Sequence, residues 1–261
     1  MSSLVSVERR GHILLIGLNR PDKLNAFNPA MIRELAAAYA QLDQDKSLRC
    51  GVLWAAGKGF TAGLDMPAIA AHVPKALIQP FIPRGTIDPW GVSTPPCRKP
   101  LVCAVNGRCY TLGIELLLNC QITVAADDAS FSQYEVSRGL FPFGGGTVRW
   151  PLAVGTNNAY RYMLTGDWFD AAEAKRLGLV QEIAPAGTEL EAAIALAEKI
   201  AAQAPLGVQA VLNSTRLLQA EGTRPALAKL KWQILRLFLS KDAKRGIAAF
   251  KNRTAAQFEG D

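Results

Sequence analysis

The chain has 261 residues, of which 49% are hydrophobic and 20% are charged. This balance excludes a disordered or fibrous chain and predicts one large globular domain with an appendage. No apolar run reaches the roughly 18 residues of a membrane-spanning helix, and residues 1–10 lack the basic-then-apolar layout of a signal peptide. We therefore expect a cytoplasmic protein with no membrane partner.

The net charge of +7 suits a phosphate-bearing partner, which is either a nucleic acid or a small molecule. The lysines and arginines are scattered along the chain, so the charge is equally that of a basic, solvated surface. The five cysteines form no Cys-x-x-Cys pair, and His12 and His72 stand apart from them. This argues against a metal site and against a disulfide framework.

Apolar runs that end in turn residues predict buried strands in the first half of the chain. A strand, a helix and a further strand come first, and Asn28 before Pro29 is typical of a helix N-cap followed by a first-turn proline. The predicted strands are residues 12–18, 49–55, 101–105, 122–126 and a short one around Phe131, and the predicted helix is residues 25–43. The alternation indicates an α/β layered fold.

Residues 67–100 break this pattern, since they hold eight of the fifteen prolines and have no clear period. A long irregular loop of this kind is either a functional lid or a plain surface excursion. Residues 139–146 contain four glycines, which allow a close approach of the backbone to a neighbouring group. The last three of them lack the Gly-x-Gly-x-x-Gly spacing of a dinucleotide site.

From residue 156 onward the pattern is mostly helical, with one short strand at 179–183. The predicted helices are residues 157–164, 171–177, 190–204, 206–220, 226–239 and 241–252. An apolar stripe runs along the fifth of them and consists of Leu227, Leu230, Ile234, Leu237 and Phe238. Such a stripe needs cover from the α/β core or from another subunit.

Two glutamates are the candidate catalytic residues. The chain has no Gly-x-Ser-x-Gly elbow, no P-loop and no histidine near the acids, so nucleophilic hydrolysis has little support. Glu115 interrupts the apolar segment 112–118, and Glu135 follows twenty residues later. Both can be read as ordinary helix or surface acids. Burial among apolar neighbours, however, raises a carboxyl pKa toward the range of a general acid or base.

Two backbone segments are candidate anion sites. Residues 62–64 follow a strand and a turn, and residues 111–113 open a helix, so each can direct unpaired N–H groups at a ligand. Two such donors can form an oxyanion hole, although every helix start has free N–H groups.

Short motifs recur along nearly the whole chain in a specific order. They are residues 19–26 (NRPDKLNA), 60–65 (FTAGLD), 104–107 (AVNG), 131–135 (FSQYE), 164–167 (LTGD), 172–180 and 248–253 (AAFKNR). In these motifs the chain resembles the crotonase superfamily, which comprises enoyl-CoA hydratases, isomerases and their relatives.

The resemblance implies an α/β fold in which ββα units form a spiral, followed by a helical C-terminal trimerisation region. It assigns residues 1–200 to the core with a CoA-thioester site and residues 201–261 to oligomerisation. The expected partners are an acyl-CoA substrate and further copies of the chain, in a homotrimer or a dimer of trimers. Coenzyme A would enter as part of the substrate, and no prosthetic group or metal is expected.

By position, the resemblance implies an oxyanion hole from the N–H groups of Leu64 and Leu112. It also implies that Glu115 and Glu135 are the acid pair of a hydratase. We expect Glu115 to orient and deprotonate water, and Glu135 to protonate the α-carbon. The residues expected to bind substrate are Lys23, Leu24, Ala26, Ala62, Gly63, Asp65, Trp90, Gly113 and Phe143, with Phe250 or Lys251 reaching the site of a neighbouring subunit.

The chain departs from the family pattern in two places. The turn before the first acid often has two or three glycines in relatives, whereas residues 108–113 keep only Gly113. Phe143 stands where hydratases commonly have glycine, and with Trp90, Phe141 and Tyr134 it predicts an aromatic acyl pocket. An isomerase or a C–C lyase acting on a bulky acyl-CoA is therefore an alternative to a hydratase. RNA binding through the basic surface is a distant one, because no basic run is interleaved with aromatic residues.

Overall fold

The computed structural model describes residues 3–76 and 79–261, and its main feature is a six-stranded sheet with the order β1-β2-β3-β4-β6-β9. Strand β1 is antiparallel to β2, and the remaining neighbours are parallel. A second, three-stranded sheet has the order β5-β7-β8. The strands are β1 (Val5–Arg10), β2 (Ile13–Leu18), β3 (Cys50–Ala55), β4 (Leu101–Val105), β5 (Arg108–Tyr110), β6 (Ile122–Ala126), β7 (Ser130–Ser132), β8 (Trp168–Asp170) and β9 (Glu182–Ala184).

Helices cover the large sheet on both faces and make up the C-terminal quarter of the chain. They are α1 (Pro29–Gln44), α2 (Met66–His72), α3 (Leu112–Leu117), α4 (Gly146–Val154), α5 (Thr156–Met163), α6 (Ala171–Leu177), α7 (Glu189–Ala201), α8 (Pro205–Glu221), α9 (Thr223–Phe238) and α10 (Lys241–Asn252). In the described parts of the chain, no helix is both long enough and apolar enough to cross a membrane.

The buried strands read as continuous apolar runs because each face of the sheet is covered. Leu14 and Ile16 of β2 lie in the core cluster that includes α1. The alternate residues Ile13 and Leu15 lie in a second cluster with residues of α7. Successive side chains along β2 therefore point to opposite faces of the sheet and enter different core clusters. The sheet is the layer between these two clusters.

The predicted strands of the large sheet and most predicted helices are present. Helix α1 begins at Pro29 rather than at residue 25, and the Asn28 side chain caps it by accepting a hydrogen bond from the Met31 amide at 2.8 Å. The prediction that residues 67–100 are irregular throughout is wrong at the start of this segment, where α2 is capped by Asp65. Leu77 and Ile78, in the same segment, lie outside the described residues.

Besides α2, the strands β1, β5 and β8 and the helix α4 were not predicted. Strand β1 is an edge strand whose side chains are mostly exposed, so its sequence lacks a buried apolar run. Strands β5 and β8 have three residues each, which is too short for a periodic signal. Helix α4 begins in the glycine-rich segment and contains Pro151, and both features normally argue against a helix.

Candidate active site

The Leu112 amide lies at the N-terminus of α3 and is one of two unpaired N–H groups that face the same space. The peptide carbonyl on its other side, that of Thr111, accepts hydrogen bonds from the amides of Ile114 at 2.9 Å and Glu115 at 3.2 Å. Because the N–H and C=O of a trans peptide point in opposite directions, these bonds turn the Leu112 N–H outward. Within residues 3–76 and 79–261 this N–H has no acceptor.

The Leu64 N–H is also oriented by hydrogen bonding at the carbonyl of its own peptide. The carbonyl of its peptide belongs to Gly63 and accepts a hydrogen bond from the Phe27 amide at 2.8 Å. The Gly63 amide donates to Thr61 Oγ1 at 3.0 Å, and that hydroxyl donates to the Asn25 carbonyl at 2.8 Å. The Leu64 N–H itself has no acceptor in the described chain. Two oriented donors are thus available to one oxyanion.

Thr111 explains how the chain forms this turn with a single glycine. Its φ of 51° and ψ of −116° are an outlier for a β-branched residue and are readily adopted by glycine. Such a conformation costs about 1–3 kcal/mol. A Cβ on Gly63 would lie 1.9 Å from Thr111 Oγ1, so the two amide-bearing segments are packed directly against each other. The turn at residues 108–113, which has fewer glycines than the family pattern, therefore contains a strained Thr111. The Leu112 amide still faces outward.

Glu115 is fully buried on α3, and one of its oxygens faces a tight backbone cradle. Oε1 accepts a hydrogen bond from the Gly146 amide at 2.7 Å, and Oε2 has no partner in the described chain. A Cβ on Gly144 would lie 3.0 Å from Oε2, and one on Gly146 would lie 2.8 Å from Oε1. The glycines are needed here because they let the backbone touch the carboxyl group. Burial raises the pKa of Glu115 to about 8.

Glu135 begins a short 3-10 turn (Glu135–Arg138) and is 5% exposed. Its Oε1 accepts a hydrogen bond from Gln133 Nε2 at 2.7 Å, and Oε2 has no partner among the described residues. The Trp150 indole N–H donates to Gln133 Oε1 at 3.2 Å, which fixes the orientation of that amide. Burial raises the pKa of Glu135 to about 7. Each acid therefore has one occupied and one free oxygen.

Two cavities meet at the residues that carry the two unpaired amides and share Leu64, Leu112 and Phe143 in their walls. The first has a volume of about 460 Å³ and includes Glu135 and Tyr134. The second has a volume of about 360 Å³ and an almost wholly apolar lining, which includes Ile69, Phe81, Ile82, Trp90 and Val92. Glu135 therefore lies in the wall of the larger cavity, an apolar compartment lies beside it, and Glu115 lines neither cavity.

The fold and this geometry can be compared with known proteins. The enoyl-CoA hydratase/isomerase family model matches residues 8–261. The enoyl-CoA hydratase EchA19 of Mycobacterium tuberculosis is 36% identical over 258 residues, which cover 97% of this chain and 95% of that protein.

This chain belongs to the enoyl-CoA hydratase/isomerase family. The crystal structure of a probable enoyl-CoA hydratase/isomerase from Mycobacterium abscessus is similar to it with a TM-score of 0.95, at 47% identity and covering 99% of each chain. The enoyl-CoA hydratase of Mycobacterium tuberculosis H37Rv gives a TM-score of 0.91 at 38% identity, covering 100% of each chain. The predicted family and the predicted crotonase-type α/β fold are confirmed.

In this family member, four of the residues predicted to bind substrate, Lys23, Leu24, Ala26 and Ala62, lie in or next to the segment that carries the Leu64 amide. The Ala62 amide donates to the Leu24 carbonyl at 2.9 Å, and Ala62 lines the larger cavity. Lys23 ends a 3-10 turn beside Leu24, and the Ala26 carbonyl accepts a hydrogen bond from Arg20 at 2.9 Å. Their contact with a substrate remains a prediction.

Other predicted residues are placed differently. The Asp65 carboxylate pairs with Arg20 at 2.7 Å and caps α2, so its observed contacts are structural. A Cβ on Gly113 would lie 2.5 Å from the Thr61 side chain, so this glycine allows α3 to pack closely. Phe250 and Lys251 lie on α10, and neither lines the two cavities.

The aromatic residues divide between the two cavities. Trp90 lines the apolar one and Phe143 lines both, whereas Tyr134 lines only the larger one. Phe141 is 60% exposed and lines neither. The prediction of one pocket formed by all four rings is therefore wrong for Phe141.

Several residues of the site were missed from the sequence. Asn25 is fully buried and joins two loops, since its Nδ2 donates to the carbonyls of Ala56 at 2.8 Å and Gly59 at 3.0 Å. Asp88 accepts three backbone hydrogen bonds within residues 88–93 and orders that part of the proline-rich segment. Gln133 orients Glu135. Asn25 lies in the motif at residues 19–26 and Gln133 in the motif at residues 131–135. Their place in these motifs was the sequence signal that could have identified them.

Proposed function

We propose that the protein is an enoyl-CoA hydratase that adds water across the double bond of a 2-enoyl-CoA thioester. The observation that carries this proposal is the pair of buried acids, each with one free oxygen, next to two outward-facing amides. The names of its relatives, such as EchA19, support the same activity. The two cavities support an acyl thioester as substrate, with the carbonyl between them and an apolar group in the smaller one.

The two amides act on the charge that develops during the reaction. Attack of water at the β-carbon turns the thioester into an enolate, whose negative charge collects on the carbonyl oxygen. The N–H groups of Leu64 and Leu112 are already oriented, so they stabilise this oxygen without reorganisation. One such donor is worth about 3 kcal/mol in comparable sites.

The two carboxyl groups divide the proton transfers. In the proposed cycle, ionised Glu115 takes a proton from water as the hydroxyl bonds to the β-carbon, and protonated Glu135 gives its proton to the α-carbon. Glu115 then returns a proton to Glu135 before the next turnover. The cycle needs one charged and one neutral carboxyl group. Because both pKa values are raised toward neutrality, that singly ionised state is populated near pH 7–8.

Burial raises the pKa of Glu115 and the pKa of Glu135, and the charge of Glu135 raises that of Glu115 further. The two carboxyl groups therefore titrate as a pair, and the proposal treats the pair as the catalytic unit.

The proposal extends to the wider setting of the protein. Coenzyme A is part of the substrate, and the chemistry described needs no prosthetic group. We place the protein in the cytoplasm and its active form in a trimer or a dimer of trimers, with residues 201–261 at the subunit contacts. The exposed apolar residues of α9 support the last point.

The test is a steady-state absorbance assay with 2-enoyl-CoA thioesters of varied chain length. Glu115→Gln and Glu135→Gln should each lower kcat by about 10²–10⁴-fold, with little change in thioester affinity, because the acids act on the transition state. Glu182→Gln, an exposed change on β9, is the matched control.

Product mass separates the alternatives. A gain of one water supports hydration, whereas an unchanged mass supports isomerisation and a loss of carbon supports a lyase. The absence of turnover on every thioester, or full activity in either glutamine variant, would contradict the paired-acid hydratase. Salt-sensitive RNA binding without turnover would favour the distant alternative.

A further inference from the structure

Trp90 contacts three parts of the proposed site at once. It is 5% exposed, and its ring lines the apolar cavity and packs edge-on against Phe27 at a centroid distance of 5.1 Å. A Cβ on Gly144, in the glycine cradle of Glu115, would lie 3.1 Å from its Cδ1. Its indole N–H donates to the Leu112 carbonyl at 3.0 Å.

The last contact bears on the oxyanion hole, because Leu112 supplies one of its two amides. The peptide that carries this amide lies between two anchored peptides. On one side, the Thr111 amide donates to the Ser132 carbonyl at 2.9 Å. On the other side, the Leu112 carbonyl belongs to the first turn of α3 and also accepts the hydrogen bond of the Trp90 indole. With both neighbours fixed, the strained backbone at Thr111 has little freedom to relax.

Through its contact with Phe27, the Trp90 ring is also connected to the backbone that orients the Leu64 amide. The Phe27 amide donates to the Gly63 carbonyl at 2.8 Å and thereby orients the Leu64 N–H. The ring is itself held at its backbone, since the Trp90 amide donates to Asp88 Oδ1 at 2.9 Å. The same indole therefore contacts the wall of the acyl compartment and the supports of both oxyanion donors.

We propose that Trp90 is a positioning residue that couples filling of the apolar cavity to the alignment of the oxyanion hole. An acyl chain that packs against the indole holds the ring in place, and the ring holds the Leu112 carbonyl and so the Leu112 amide. The inference rests on the proposed function, because it assumes a thioester carbonyl at the two amides. Its consequence is that long acyl groups receive a better-aligned oxyanion hole than short ones.

A buried indole N–H usually finds some acceptor, so a purely structural role must be distinguished from positioning. Trp90→Phe keeps an aromatic ring in the cavity and removes the hydrogen bond to Leu112. The matched control is Trp54→Phe on β3, since Trp54 Nε1 has no hydrogen-bond partner in the described chain. The probe is decanoyl-CoA labelled with ¹³C at the thioester carbonyl, which is saturated and cannot be hydrated.

The readout is the carbonyl stretching frequency of the bound probe, measured by isotope-edited infrared spectroscopy, together with its Kd. In the wild type and in Trp54→Phe, binding should shift the band to lower frequency. In Trp90→Phe the Kd should change by less than about threefold while most of the shift is lost. The kcat for a decenoyl thioester should fall by about tenfold, as expected for one neutral hydrogen bond.

The wild type provides a second measurement that needs no variant. In a protein labelled with ¹⁵N-tryptophan, decanoyl-CoA should move one indole N–H resonance, absent from Trp90→Phe, more than acetyl-CoA does. Equal shifts with both ligands, or an undiminished carbonyl shift in Trp90→Phe, would overturn the coupling and leave the hydratase proposal intact. If decanoyl-CoA does not bind to the wild type at all, the coupling is overturned, and the hydratase proposal fails only if no 2-enoyl-CoA of any chain length is turned over.

Discussion

Glu115 and Glu135 show at the residue scale why the site is chemically useful and energetically costly. Both carboxyl groups are buried, and each has an oxygen without a partner in the described chain. Burial disfavours their charged forms and raises both pKa values. A carboxyl group whose pKa is near 7 can both accept and release a proton at physiological pH, which is what acid–base catalysis requires.

The pH dependence of kcat/KM should report this pair. In the proposed cycle the singly ionised pair is the competent form, so activity should rise as the pH passes about 7 and fall as it passes about 8. The apparent pKa values of the rising and falling parts of the profile belong to the pair of acids rather than to either residue. The measurement is a pH–rate profile with a 2-enoyl-CoA substrate. A profile that stays flat across this window would contradict the prediction.

The raised pKa of Glu115 should also appear in stability. The folded protein retains this proton up to about pH 8, whereas the unfolded chain releases it near the ordinary value of 4.5. Between these values the unfolded state binds fewer protons, so the free energy of unfolding falls as pH rises, and the full penalty is present above the upper value.

Glu115→Gln should therefore raise the Tm above this window more than below it, at about 2–4 °C per kcal/mol recovered. The measurement is thermal denaturation on both sides of the window. Glu182→Gln, at an exposed position, should change the Tm little at either pH. An equal shift of the Tm on both sides would show that loss of charge is not the cause.

At the scale of elements, the site is formed where the start of α3 meets the loop after β3. Isolated bridges join Thr61 to Cys109 and Gly59 to Gly107, which brings the two segments together. Gly63 and Thr111 are the point of closest approach, and both have positive φ. The two proposed oxyanion donors are therefore fixed relative to each other by packing between loops.

A double-mutant cycle should detect this packing. Gly63→Ala should reduce stability and kcat strongly, because its Cβ would overlap Thr111 Oγ1 and its φ of 89° disfavours a side chain. Thr111→Ala removes that hydroxyl, so the double variant should be less damaged than the sum of the single ones, by about 0.5–3 kcal/mol. The measurement is denaturant unfolding of all four proteins. Additive effects would argue against the contact.

The proline-rich segment is the other element that shapes the site. Ile69, Phe81, Ile82 and Trp90 from it line the apolar cavity, so its described residues form a wall of the acyl compartment. The buried carboxylate of Asp88 accepts hydrogen bonds from the amides of residues 90, 92 and 93.

At the scale of the whole molecule, helix α9 leaves large apolar side chains exposed. Leu227 and Phe238 of the predicted stripe are each 62% exposed in the single chain, and Leu230 and Ile234 are 43% and 48% exposed. An exposed apolar face of this kind normally marks a protein contact surface. The sequence pattern predicted that this stripe needs cover, and the single chain covers it only in part.

Assembly should therefore depend on α9. Light scattering after gel filtration should give a mass of three or six times 28.1 kDa for the wild type. Leu230→Asp together with Ile234→Asp should dissociate the assembly, because two charges would be buried at the contact. Lys175→Asp, an exposed change on α6, serves as the control. A wild-type mass of 28.1 kDa would refute the proposed trimer.

The sequence by itself determined the family and the buried parallel strands β2, β3, β4 and β6 of the large sheet, and it marked Glu115 and Glu135 as candidate acids. Continuous apolar runs identify strands buried on both faces, and ordered motifs along the chain identify the family. It did not determine β5, β8 or α4, because three-residue strands have no period and glycine and proline disfavour a helix start.

Only the tertiary structure decided how the acids acquire their chemistry. Their raised pKa values depend on burial, and the free oxygens depend on which neighbours happen to donate, such as Gly146 and Gln133 from other segments. The same holds for the oxyanion amides, whose direction is set by contacts between residues distant in the chain. A sequence encodes which residues are present at a site, but distances and dielectric surroundings arise only when the chain is folded.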